Sequence, residues 1–282
     1  MVSAGLGLGA GVATASTASA ATFQARLQAI EADVQGRLGV FAIDTASGST
    51  LAYRADERFM MLSSFKLLAS ALVLHRVDQG LESLARRIVY TPSDLVTYSP
   101  ITQHHADGSG LTLGELCHAT LTTSDNTAAN LILDSYGGPA ALTAFARQLG
   151  DSVTRLDRRE TALNLPAAQI ELDTTTPRAM ALTVQHLATG RVLSAASRQQ
   201  LAQWLLANTT GGQRLKAGLP PGWRCGDKTG TNATDSNDIG LLWPPARPPW
   251  VVCAYLADSR ASPATRDRAL AAVGTLVSHW AR

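Results

Sequence analysis

Charge is scarce in this chain and absent from its start. Charged residues are 16% of the 282, and none of the first 25 carries a charge. Lysine and arginine (24) nearly balance aspartate and glutamate (22), for a net charge of +2. The signs are interspersed, as in Arg155, Asp157, Arg158, Arg159 and Glu160, which excludes the basic stripe of a nucleic-acid binder. Cysteine is limited to Cys117, Cys225 and Cys253, an odd number at wide spacing that fits neither a disulfide framework nor a CxxC metal knuckle. At most one bridge can form, and three small buried hydrophobes are the simpler expectation. The six histidines include no HxxxH or HxH pair, so no metal site is expected, and no cofactor is implied. No repeat of fixed period is present, which excludes solenoids and propellers.

What is there suits a globular chain: 45% hydrophobic residues over a length that allows one large domain with a sizeable core. The start is different. Residues 1–21 are mostly Ala, Gly, Ser and Thr and run into Ala18-Ser19-Ala20, an A-x-A cleavage pattern. Residues 1–20 therefore read as an export signal, the competing reading being a disordered tail, and the product is expected in the periplasm or outside the cell. The basic n-region is missing, which fits a start inside a longer signal. So much Gly and Ser argues against a membrane anchor.

Periodicity predicts a helix over 21–35, then strands over 39–44 and 50–55 around a glycine-containing turn. A helix over 63–80 follows, and helical patterns dominate to about residue 207. Thr112-x-x-Glu115 and Ser197-x-x-Gln200 read as capping boxes, and Thr176-Pro177 as a capped helix start. Residues 149–177 form a polar stretch long enough to be functional. Strands over 223–231, 238–243 and 250–256 precede a closing helix over 263–280. The expected fold is α+β: an antiparallel sheet of about five strands, terminal helices on one face, and an all-helical subdomain against the other. As a single domain over 21–282, its α/β part spans 21–60 and 208–282 and its helical part 61–207, with a groove between them.

Four segments carry the chemistry. In Ser63-Ser64-Phe65-Lys66, residues three apart share a helix face, so Lys66 can reach the Ser63 oxygen. A serine needs an adjacent base to act as a nucleophile, and a lysine among Met61, Phe65 and Leu67 can have its pKa lowered by desolvation. Alone, this pair is as well read as a cap serine with a solvated lysine. Ser124-Asp125-Asn126 sits in a break between two helices, where it can turn a hydroxyl and an amide toward a groove or merely cap a helix. Lys228-Thr229-Gly230-Thr231 ends a strand, its glycine allowing close approach of a ligand. Glu160 and Asn164, in the long loop, can together hold and activate one water, or be a solvated polar cluster.

The order of these segments, at 63, 124, 160 and 228, resembles the class A β-lactamases, the penicillin-destroying serine hydrolases of bacteria. The likeness runs over nearly all the chain after the signal, including Ser124-Asp-Asn-Thr-Ala-Ala-Asn130, Leu156-Asp-Arg158 and Asp173-Thr-Thr-Thr-Pro177. It implies an enzyme, with a small β-lactam as its substrate and partner and no stable membrane insertion. Ser63 would be acylated, Lys66 would be its proton partner, and Ser124 would pass a proton to the departing lactam nitrogen. Glu160 with Asn164 would activate the hydrolytic water. Either Lys66 or Glu160 would take the serine proton during acylation. The backbone N–H groups of Ser63 and Thr231 would form the oxyanion hole, Asn126 would meet the substrate's side-chain amide, and Tyr98 would be an aromatic wall. Lys228, Thr229, Gly230 and Thr231 would bind the substrate, with Arg214 assisting at its carboxylate and Asn237 or Ser236 in the region where other relatives place that arginine. Arg158 and Asp173 would close the base of the catalytic loop as a structural ion pair.

Departures from the family pattern are also legible. Leu62 and Asn232 stand where some carbapenem-hydrolysing members pair two cysteines, and Ser70 stands where relatives bridge to Cys117, so neither disulfide is implied. The stretch 231–237 is slightly short, and Arg159 replaces a common aromatic. Penicillin-binding peptidases share three of the four motifs but lack a base to drive water onto the acyl-enzyme, and a lactam sensor would need a membrane tether. The loop with Glu160 and Asn164 favours a hydrolase, with a monomer as the default state.

Overall fold

Strands that alternate between a wet and a dry side leave every second residue exposed, and the long strands here do not. In the computed structural model, which describes residues 17–165 and 171–281, β1 (Arg37–Asp44) is buried from Leu38 onward. A later strand, Trp250–Ala257, is buried at every position. A sheet of such strands must be covered on both faces. Five strands form it: β1, β2 (Thr50–Tyr53), β3 (Arg224–Thr231), β4 (Ser236–Trp243) and β5 (Trp250–Ala257), in the antiparallel order β2-β1-β5-β4-β3. The fold is the expected α+β arrangement. The expected signal lies mostly outside the described residues, and α1 (Thr17–Val34) is described from Thr17.

The odd and even positions of the strands face two separate cores. Leu38, Val40, Val252 and Ala254 pack with Leu27 of α1 and with Leu270, Val273 and Val277 of the closing helix, Pro263–Trp280. Phe41, Ile43, Ile239, Cys253 and Tyr255 face the helical part. That part is built on α2 (Phe65–Asp78), whose residues 65–74 are all buried, so it runs through the middle of its neighbours rather than along a surface. All three cysteines are buried and free, as small hydrophobes. No described helix is long and apolar enough to cross a membrane.

Local signals set the helix starts. Thr112 and Glu115 make the expected reciprocal capping box at α3 (Leu113–Thr122). Asp125 caps α4 (Asn126–Ser135), which is followed by α5 (Gly138–Gln148). Thr176 caps α6 (Pro177–Thr189), with proline at its first turn. The expected capping box at Ser197 is corrected: α7 (Ala195–Leu206) starts three residues earlier, capped by Ser194, which accepts from the Ser197 N–H. The Ser197 hydroxyl instead donates to Asp78 Oδ1 at 2.7 Å, because a serine inside the first turn can reach across to α2. With these labels the closing helix is α8. The helix expected from residue 63 begins as a 3-10 turn over Leu62–Ser64, and the α-helix proper starts at Phe65.

The long connection between α5 and α6 is closed at its base. Asp173, fully buried, accepts at Oδ1 from the N–H groups of Asp157 and Arg158, both at 2.8 Å, and at Oδ2 from Arg158 Nε at 2.6 Å. Met60 and Thr174 pair as a two-residue ladder beside it. Replacing Asp173 by Ala removes three hydrogen bonds to a buried carboxylate at a cost of about 3 kcal/mol. Hydrogen exchange should then show the amides of residues 157–165 losing protection while those of α8 keep theirs. Leu270→Ala, in the opposite core, should cost about 2–5 kcal/mol and lower Tm without altering the loop's exchange.

Candidate active site

The cleft lies where the edge strand β3 meets the turn before α2. Gly230 makes that meeting possible: an added Cβ would stand 2.9 Å from Leu62 Cβ and 3.0 Å from Met61 O. Asn237 of β4 fastens the same junction, its amide donating to Met60 O at 2.9 Å and Met61 O at 3.2 Å. The cleft has a volume of about 300 Å³, and its lining includes Ser63, Tyr98, Ser124, Asn126, Asn164 and Thr231.

At its floor, Ser63 Oγ lies between an amine and a carboxylate. Lys66 Nζ donates to it at 2.9 Å, and the hydroxyl donates to Glu160 Oε1 at 3.2 Å. Lys66 Nζ and Glu160 Oε1 are 3.0 Å apart, and both side chains are fully buried. Lys66 also reaches Ser124 O at 2.9 Å and Asn126 Oδ1 at 2.5 Å. Burial pushes the Lys66 amine below the ordinary lysine range, and the Glu160 carboxylate opposes that shift. The arrangement offers the serine proton two acceptors in contact with each other.

Glu160 arrives from the long loop and is held by backbone as well as side chain. The Asn130 amide donates to Glu160 O at 2.9 Å and accepts from Glu160 N at 3.0 Å, clamping the loop onto α4. Asn164 Nδ2 donates to Glu160 Oε2 at 2.6 Å, while Asn164 Oδ1 is a buried acceptor that no donor reaches. Asn130 lies in a segment that resembles the family, but its sequence neighbours give it no task; its reciprocal contact depends on a loop 30 residues away.

Ser124 and Asn126 reach the cleft because the residue between them points inward. Asp125 is buried, accepting from the N–H groups of Ile101, Thr102 and Ala128, so its neighbours are turned outward. Ser124 pays with a left-handed backbone, φ 62°. Its Oγ accepts from Lys228 Nζ at 3.0 Å and from Lys66 Nζ at 3.3 Å, and so joins the two buried lysines. Burial drives Lys228 well below the ordinary lysine range, the nearby Lys66 charge adds to this, and Asp227 opposes it. Tyr98 is 57% exposed at the rim, presenting its ring to the cleft mouth.

Arg214 is 7% exposed and largely occupied. Its Nε donates to Asp267 Oδ1 at 2.8 Å, Nη1 to Gly230 O and Asn237 O, and Nη2 to Thr231 Oγ1 at 2.7 Å. Four of the five N–H groups are thus committed, and the guanidinium reaches the cleft through the Thr231 hydroxyl as well as by its charge. Nothing near Asp267 in the chain marks it as a partner of Arg214; only the packing of α8 brings it there. Arg159 pairs with Asp134 of α4. All the site residues expected from sequence, other than Arg158 and Asp173 at the loop base, therefore lie in or directly beneath one cleft.

Comparison with known proteins places this geometry. A family model described as the β-lactamase enzyme family matches residues 22–280. A reconstructed ancestral class A β-lactamase is 55% identical, with a TM-score of 0.89, covering 92% of this chain and 99% of its own. The class A enzyme reconstructed for the last common ancestor of Gram-negative bacteria is 54% identical, with a TM-score of 0.90 over 93% and 100%. A protein of Rhodopseudomonas palustris inferred to be the class A β-lactamase PenP is 53% identical, with a TM-score of 0.89 over 92% and 99%. On the match over residues 22–280 and these identities, the chain belongs to the class A β-lactamases, a family of hydrolases.

Proposed function

We propose that this protein hydrolyses the β-lactam amide of penicillins and cephalosporins through an acyl-enzyme on Ser63, and so confers resistance to them. The observation that carries this reading is the Ser63 hydroxyl within hydrogen-bond reach of both Lys66 Nζ and Glu160 Oε1. In acylation, Ser63 Oγ bonds to the lactam carbonyl carbon and gives its proton to Lys66 or Glu160. The C–N bond breaks, and the nitrogen takes a proton from Ser124, which Lys66 and Lys228 flank. The backbone N–H groups of Ser63 and Thr231 stabilise the oxyanion. In deacylation, Glu160 takes a proton from a water steered by Asn164, the water oxygen attacks the ester carbonyl, and Ser63 Oγ departs with a proton.

Binding divides along the cleft. Lys228, Thr229 and Thr231, backed by the Arg214 charge, suit the substrate carboxylate, and Gly230 lets their strand close on the turn beside Ser63, a packing role rather than the ligand approach expected from sequence. Asn126 suits the side-chain amide, with Tyr98 packing beside it. Arg158 and Asp173 keep the Glu160 loop closed. The mature protein on this reading is a single domain over 21–282 that is exported and monomeric. The first 20 residues support export by their lack of charge and their A-x-A ending.

Purified protein should turn over the chromogenic cephalosporin nitrocefin through many cycles per molecule. Glu160→Ala should give one burst equal to the enzyme present, then silence, with the acyl adduct visible by intact mass. Undiminished turnover by that variant would remove Glu160 from deacylation. A second expectation concerns pH. Burial favours the neutral Lys228 amine, so its charge is lost at a pH below the ordinary lysine value of 10.5, and kcat/KM should fall as pH rises through that lower value. Lys228→Arg, which keeps its charge, should carry the plateau to higher pH in the same titration.

A further inference from the structure

Beneath the strand that carries Lys228, Thr229 and Thr231, two carboxyl groups are sealed in the sheet. Asp227 stands opposite Gly240, and Asp238 opposite Thr229, so the two acids are diagonal neighbours on one face of β3 and β4. They are 1% and 0% exposed, and the Asp227 charge acts on Asp238 from the neighbouring strand. Two carboxylates buried side by side repel each other when both are ionised, so one of them holds a proton. Their other partners decide which. Asp227 Oδ2 accepts from Asn208 Nδ2 at 2.8 Å, and Oδ1 faces the Cys225 thiol at 3.8 Å. Asp238 Oδ2 accepts from the Leu215 N–H at 3.0 Å, while no donor reaches its buried Oδ1. A proton on Asp238 Oδ1, donated to Asp227, satisfies every one of these atoms.

The direction of that bond propagates to the cleft. Because Asn208 Nδ2 is held by Asp227, its Oδ1 faces the other way and accepts from both Thr210 N at 3.0 Å and Thr210 Oγ1 at 2.8 Å. Thr210 Oγ1 lies 2.6 Å from Thr229 Oγ1. Asn208 Oδ1 already has the Thr210 N–H, so the Thr210 hydroxyl proton can go to Thr229 Oγ1, which leaves the Thr229 proton for the cleft. The turn is pressed onto the acid pair: a Cβ on Gly211 would stand 1.7 Å from Asp227 Oδ2.

We propose that Asp238, Asp227 and Asn208 are positioning residues for substrate binding: one proton shared by the two acids orients the Asn208 amide, which orients Thr210 and thereby the Thr229 hydroxyl that meets the substrate carboxylate. This rests on the reading of Thr229 as a carboxylate-binding residue. Burial supports it, holding Asp238 well above the carboxylate range, with the Asp227 charge adding to the effect and Arg214 opposing it.

Steady-state kinetics on a penicillin test the chain from both ends. Asn208→Ala and Asp238→Ala should each lower kcat/KM by about tenfold while kcat stays within about threefold, since binding rather than bond breaking is disturbed. Asp238→Asn, which keeps a neutral donor toward Asp227, should restore most of that loss. Infrared difference spectra of wild type against Asp238→Asn at neutral pH should show one protonated carboxyl band that only the wild type has. Should Asp238→Ala fail to fold, Asn208→Ala and the infrared comparison remain. The proposal is overturned if Asn208→Ala leaves kcat/KM unchanged, if Asp238→Asn is as damaging as Asp238→Ala, or if the band is missing. A wild type that does not turn over penicillin but shows the band would instead defeat the hydrolase reading.

Discussion

A lysine and a glutamate buried against each other are the constraint around which the rest of this structure is arranged. Removing two charges from water costs several kcal/mol per ion, and mutual attraction offsets that only when the remaining donors and acceptors are also met. Lys66 and Glu160 meet that condition from four directions: Ser63, Ser124, Asn126 and Asn164. Lys66 Nζ has three protons and four oxygen partners within 3.0 Å, counting Glu160, so it cannot satisfy all of them at once. A cluster with more acceptors than protons leaves its protons room to redistribute, as the proposed acyl transfer at Ser63 would need.

Holding that cluster strains the backbone around it. Leu62, Tyr98, Ser124 and Asp173 are all non-glycine residues with positive φ, between 49° and 66°. Each sits where chain direction must change to bring a side chain to the cleft or to the loop base. Such positions persist only where their surroundings over-determine them. Here the fixing contacts are visible: Asn237 on the Met60 and Met61 carbonyls, Asp125 between its outward neighbours, and Arg158 on Asp173.

Charge is handled differently on the two sides of β3. On the cleft side Lys66 and Lys228 are both buried, and their repulsion is moderated by Glu160 and Asp227. On the other side the buried acids share a proton rather than carry two charges. Arg214 bridges these environments from the edge, with Asp267 on its Nε and Thr231 on its Nη2. Among the residues that line the cleft, Arg214 is the charged one.

The sequence alone determined the elements with strong local signatures. The hairpin, the last three strands, the closing helix and the starts at Thr112 and Thr176 follow from period, turn residues and caps that act over a few residues. Ser63 with Lys66, and Ser124 with Asn126, are local pairs that each also fit a plain helix cap, and it is the order of the four motifs, by its resemblance to a known family, that marks them as a site. Tertiary structure decided what depends on atoms far apart in the chain. Two serines three residues apart both fit a cap, and only packing against Asp78 made Ser194 the cap of α7. Arg214 reads as a free cation until Asp267, Gly230 and Asn237 occupy it, and Asn130 and Asp227 have no visible task until the elements beside them are in place. A hydrogen bond is fixed by angles and distances within tenths of an ångström, which residue order sets only where the chain between the partners is short.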